Sequence, residues 1–102
     1  MGAKAISRLG DLCTGHDCWL PRPNIEACKS VFVNNLPVHL VGQRWDTHCC
    51  IHTGDNHHGC HNGVTISGSS NVYIENVLVA REGDPISCGS KVGKGSPDLE
   101  CG

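Results

Sequence analysis

Apolar residues along this chain come in runs of about four, too short for helices, separated by Gly, Pro, Asn, Cys and His. Residues 30–42 read Ser-Val-Phe-Val-Asn-Asn-Leu-Pro-Val-His-Leu-Val-Gly, and residues 71–83 read Asn-Val-Tyr-Ile-Glu-Asn-Val-Leu-Val-Ala-Arg-Glu-Gly. Val31/Val72, Phe32/Tyr73, Val33/Ile74, Asn35/Asn76, Val38/Val79 and Gly42/Gly83 fall into register. Each copy is a β-branched and aromatic run, a turn pair ending in Asn, and a second apolar run. That pattern predicts a β-hairpin, with Asn supplying the positive φ of a tight turn.

Two half-copies lie near the ends. Gly95-Ser-Pro-Asp-Leu-Glu-Cys-Gly102 matches the approach to the second hairpin, Gly68 to Glu75, and Ser7-Arg-Leu-Gly-Asp11 matches its exit, Ala80 to Asp84. A third hairpin closed by the N- and C-termini follows, and with it a ring of three related units. We therefore expect an all-β fold in one domain spanning 1–102. The segments 12–29 and 44–67 read as long loops, which in a compact domain tend to be functional.

Composition sharpens where the chemistry lies. The 102 residues include 8 Cys and 7 His but 4% aromatics, so the core is thin and a staple is expected. A net charge of -2 with 8 Lys and Arg argues against a nucleic-acid partner. No apolar run reaches membrane-span length, and the first residues lack the apolar segment of a secretory signal. Folding in a reducing cytosol is then expected, where clustered Cys and His favour a metal over disulfides.

The ligands are read from phase within the repeat. His16 is the fifth residue after Asp11, His48 the fifth after Gln43, and Cys88 the fourth after Asp84. Three related loops thus each deliver one metal-capable side chain. In the other frame, His61 lies seven residues before Gly68 as Cys88 lies seven before Gly95. His16, His48, His61 and Cys88 make a closed tetrahedral set that suits one structural zinc, with iron the second choice. His52, His57, His58 and Cys60 are the competing ligands around His61.

Other groups read as structural. His39 takes the place of Ala80 inside a hairpin strand, and Asp11 and Asp84 read as turn caps rather than an acid pair. Gly93-Lys-Gly-Ser96 does not complete a phosphate loop. Cys13, Cys18, Cys28, Cys49, Cys50, Cys60 and Cys101 are expected to be small packing side chains with free thiols. A disulfide between Cys13 and Cys18, or among Cys49, Cys50 and Cys60, is the late-oxidation alternative, and a second metal drawn from them is the other.

The segment Arg8-Leu-Gly-Asp-Leu-Cys-Thr-Gly-His-Asp-Cys-Trp-Leu-Pro-Arg-Pro23, the two hairpins, Gly83-Asp-Pro-Ile-Ser-Cys-Gly89 and the terminal Gly-Ser-Pro together resemble the PAAR-repeat proteins, in a phage-type subgroup. The resemblance spans essentially the whole chain. The middle copy departs from it, with Pro37-Val-His-Leu-Val-Gly-Gln43 where the family shows Arg and Gly-Asp, and residues 98–101 lack the family's closing aromatic. The resemblance implies a compact cone or pyramid that tips the central spike of a contractile injection machine and helps pierce a target envelope. It implies a non-catalytic protein with an apical zinc on His16, His48, His61 and Cys88. The implied partner is a trimeric β-helical spike protein, the phage central spike or a VgrG-type protein, with one copy of this chain per trimer and only transient membrane contact. The implied location is a phage tail tip assembled in host cytoplasm, or alternatively a bacterial cytoplasm followed by type VI export. A small zinc- or disulfide-stabilised binding module unrelated to injection is the competing function.

Overall fold

Turn chemistry sets the hairpins. The computed structural model describes residues 2–50 and 59–102. Strands β2 (Phe32–Val33) and β3 (Leu36–Pro37) pair antiparallel, as do β6 (Tyr73–Ile74) and β7 (Val77–Leu78). Their turn pairs hold positive φ, 55° and 66° at Asn34 and Asn35, and 54° and 66° at Glu75 and Asn76. Two consecutive left-handed residues are the type I′ geometry that matches strand twist. The third unit joins the chain ends: β1 (Lys4–Ala5) pairs with β8 (Glu100–Cys101), in the register Lys4↔Cys101 and Ala5↔Glu100. The expected closure of the ring by the termini is therefore present. Cys101 packs on the core, while Leu99 stays 46% exposed.

The three units meet through a cycle of backbone hydrogen bonds. Ser7 N–H donates to Ala80 O at 3.0 Å, Ala80 N–H to His39 O at 3.1 Å, and His39 N–H to Ser7 O at 2.9 Å. A second cycle runs from Leu9, Val41 and Glu82 N–H to Pro37, Leu78 and Ala5 O, at 2.8–2.9 Å. Equivalent residues thus take equivalent partners in the next unit, which defines a pseudo-three-fold axis. All three residues of the first cycle are fully buried. Such buried backbone groups must be paired, and the cycles pair them without a wide sheet.

Each unit leaves the ring through the same turn. Gly10, Gly42 and Gly83 have φ of 88°, 89° and 92°, a conformation that favours glycine. Asp11 Oδ2 accepts from Arg8 N–H at 2.8 Å and Asp84 Oδ2 from Arg81 N–H at 2.7 Å. Their other carboxylate oxygens pair with the same arginines at 2.9 Å. These aspartates are turn caps, as expected. In the middle unit Gln43 Oε1 accepts from Leu40 N–H at 2.9 Å, so the amide keeps the cap and the ion pair is lost.

The core follows the repeat in two clusters. The hairpin cluster places the equivalent residues Ile6, Val38 and Val79 together with Cys28, Val33 and Leu40. The other cluster places the equivalents Cys13, Trp45 and Ile86 with Val92, and Cys88 packs against it. His39 lies fully buried, with Nδ1–H donating to Glu26 O at 2.7 Å and Nε2 accepting from Thr65 Oγ1 at 2.8 Å. Thr65 Oγ1 in turn accepts from Trp45 Nε1–H at 2.8 Å. Burial outweighs these bonds and lowers the His39 pKa to about 4, so the ring is neutral, a structural histidine.

Candidate metal centre

Beyond the turns, three connections carry the candidate ligands. In the first, His16 and Trp19 exchange backbone hydrogen bonds at 2.8 and 3.0 Å around a tight turn at Asp17 and Cys18, with Asp17 at a φ of 48°. Gly15 precedes it at a φ of 71°, and a Cβ there would stand 2.7 Å from Trp19 O, so glycine is required. In the third, Ile86 N–H donates to Ser90 O and Gly89 N–H to Ile86 O, which folds Cys88 into a compact turn.

The second connection departs from the sequence expectation. Within the 44–67 segment expected to be loop, β4 (His48–Cys49) pairs antiparallel with β5 (Cys60–His61). The strands escaped detection because Cys and His lack the β-branched apolar signature of strand sequences. Register sets His48 opposite His61 and Cys49 opposite Cys60. Because side chains alternate across a strand, the two histidines share one face and the two cysteines the other.

The donor atoms of His16, His48, His61 and Cys88 lie within 4.8 Å of one another. His48 is buried and the other three are half-buried. Two of the histidines are held by outer partners. His48 Nδ1–H donates to Leu20 O at 2.8 Å, and His16 Nδ1 bonds the buried Ser90 hydroxyl at 2.7 Å. A carbonyl only accepts, so the Leu20 bond places the proton on His48 Nδ1 and leaves Nε2 with its lone pair, while the Ser90 hydroxyl anchors the His16 ring. His61 Nε2 faces His48 Nε2 at 2.7 Å. Two ring nitrogens face one another so closely only when they share a proton or a cation. Burial and then the neighbouring His48 and His16 rings hold the His61 pKa below the usual histidine range, favouring the neutral form a metal needs.

The donor set fits a metal ion. A tetrahedral zinc with ordinary N and S bonds separates its ligand atoms by about 3.3–3.6 Å, a value that lies between the 2.7 Å of the His48–His61 pair and the 4.8 Å that bounds the cluster. The cluster could hold a metal with His16, His48, His61 and Cys88 as its four donors. Trp19 covers one side, its ring stacked on His61 at 4.6 Å and on His16 at 5.1 Å, while its Nε1–H donates to Gly59 O. Sequence reasoning missed Trp19, although its place three residues after His16 in a two-residue turn puts it directly across from that ligand.

The competing ligands fare differently. Cys60 is bonded to Cys49 and so offers no thiolate, while His52, His57 and His58 fall outside the described residues. The expectation of free thiols is corrected for four cysteines, since Cys18 pairs with Cys50 and Cys49 with Cys60. Cys13, expected as a possible partner of Cys18, is instead buried and free in the Trp45 cluster. The pairs form because the fold brings Cys18 and Cys50 side by side from two loops and sets Cys49 across from Cys60. With these four in disulfides, no thiolates are left among them for a second metal. Cys28 and Cys101 pack as small apolar side chains, as expected.

Fold and site together define a small all-β domain in which three related loops converge on a three-histidine, one-cysteine centre. The PAAR motif matches over residues 14–94, and the chain belongs to that family. No curated protein matches it.

Proposed function

We propose that the chain is the tip of a contractile injection machine's central spike, with one zinc bound by His16, His48, His61 and Cys88. Membership of the PAAR-motif family supports the spike-tip role. The convergence of four donors from three connections is the single observation on which the metal assignment stands. When bound, zinc would supply a compact cross-link among the loops. Four protein donors leave no position for a reacting water, so the role is structural rather than catalytic.

The proposed work follows from shape and stiffness. A tip driven through an envelope must stay folded under load, and bulky aromatic packing would blunt it. A metal centre ties the loops in little volume. His48 and His16 are held in place by Leu20 O and Ser90, so the ligands need little reordering to grip an ion.

The hairpins offer the docking end. Phe32 and Tyr73 occupy equivalent positions and are 59% and 60% exposed, with Val31 and Leu36 exposed in the first hairpin and Leu99 in the unit closed by the termini. Short strands and apolar side chains repeated around a pseudo-three-fold axis suit the blunt end of a trimeric β-helical spike, one copy per trimer. No described helix is long and apolar enough to cross a membrane, and the reading assigns the tip only a transient contact with an envelope. The location is a phage tail tip or a type VI secretion apparatus.

Co-purification with a trimeric spike protein from the same source tests the docking role. Binding by the wild-type chain and its loss in Phe32→Asp/Tyr73→Asp, with zinc content unchanged, is the expected result. Equal binding by the double variant would remove the hairpin end from the interface.

A further inference from the structure

The positions two residues beyond three of the four ligands form a second set around the centre. These residues are Cys18 after His16, Cys50 after His48 and Ser90 after Cys88. Cys18 and Cys50 are joined covalently, and Ser90 holds His16 by a hydrogen bond of 2.7 Å. The other cystine, Cys49–Cys60, sits on the back of the strand pair whose front carries His48 and His61. Each half-cystine is therefore one or two residues from a ligand. Cys18–Cys50 ties the His16 loop to the His48 strand, and Cys49–Cys60 ties the His48 strand to the His61 strand. Three of the four ligands are linked in this way, while Cys88 is reached only through Ser90 and packing.

We propose that the two cystines are a redox lock on the metal centre: reduced, the loops exchange metal readily; oxidised, they retain it. This rests on the ligand set proposed above. A bound ion leaves only when ligand arms swing away in sequence, and a covalent tie between neighbouring arms suppresses that motion. Locking is a thiol–disulfide exchange. Each protein dithiol reduces one small-molecule disulfide, such as oxidised glutathione, gaining its cystine S–S bond and releasing two thiols that carry the two protons. A chain assembled in a reducing cytosol and delivered outside it meets that change of oxidant on its working path. The lock thus lets metal load during assembly and holds it during use.

The test uses the full chain loaded with zinc, in oxidised form and after reduction by a phosphine, with release followed by an excess of a coloured zinc chelator. Release from the oxidised form is expected to be slower by about tenfold or more, the scale of effect a loop-closing crosslink exerts. C18A/C50A should lose most of that retention, since it unties separate loops, and C49A/C60A a smaller share. Release rates within about twofold of each other in the two forms would overturn the lock. Circular dichroism run alongside separates a local lock from a general staple. The hairpins contain no cystine and are expected to keep their signal on reduction; their loss would overturn the local mechanism. A chain that binds zinc yet forms no cystine with oxidised glutathione would overturn the lock and leave the ligand set standing. A chain that binds no zinc in either form would overturn both.

Discussion

The hairpin end and the loop end of this molecule are built on the same pseudo-three-fold backbone but held by different means. At the hairpin end, cohesion comes from cyclic backbone hydrogen bonds, the Ile6, Val38 and Val79 layer, and capped turns. There the three units remain interchangeable down to φ values at Gly10, Gly42 and Gly83 that agree within 4°. At the loop end the units diverge in length and content, and side-chain chemistry takes over: four convergent donors and two cystines. The contrast shows how a chain with few aromatics divides its labour. Backbone pairing can repeat and needs little core, whereas irregular loops with a small buried cluster gain from being cross-linked.

The largest expected effect breaks the loop end alone. His48→Ala removes the buried ligand and should abolish stoichiometric zinc and cost more than about 4 kcal/mol, as loss of a structural metal does. Calorimetry with metal analysis checks it. His57→Ala should change neither quantity, because the four-donor set is complete without it.

A smaller effect probes the layer between the two ends. The unfolded chain protonates His39 near the ordinary histidine value, whereas the folded chain resists until about pH 4. Below pH 6.5 the unfolded state therefore binds more protons, and stability falls as pH drops towards 4. Above pH 6.5 this contribution is fully present and flat. The span corresponds to about 3 kcal/mol. Denaturation of wild-type and His39→Gln at pH 7 and pH 5 should show a steeper acid loss in the wild type; parallel losses would remove His39 from the pH response.

The finest comparison lies within the hairpin end, between capped turns with and without an ion pair. Asp84→Ala strips a nearly buried carboxylate from Arg81 and should cost about 2–3 kcal/mol. Gln43→Ala removes only a neutral cap and should cost about 1 kcal/mol. Equal losses would mean that the arginine pairs add nothing to the caps, which urea denaturation of both variants would reveal.

Much of this was legible in the residues because it is local or periodic. Asn34-Asn35 and Glu75-Asn76 announce their turns, and the half-copies at Ser7 and Gly95 announce the closure of the ring. His16, His48 and Cys88 share a phase counted from a turn, so their convergence follows from the repeat. What escaped depends on pairing in space. Eight cysteines allow 105 full pairings, and nothing in their spacing selects Cys18 with Cys50. A recurring His-x-Cys at 16–18 and 48–50 was the available signal. The β4–β5 pair was hidden for a related reason, since its residues carry chemistry in place of strand propensity. Gln43 shows the reverse case: a changed residue that keeps its turn because an amide oxygen caps as a carboxylate does.

X-ray absorption at the zinc edge, with metal quantified per chain, tests the central claim most directly. One zinc per chain with a first shell of three nitrogens and one sulfur is the expected result, with the sulfur lost in Cys88→Ser. A four-sulfur shell, or purified protein without stoichiometric metal, would contradict it.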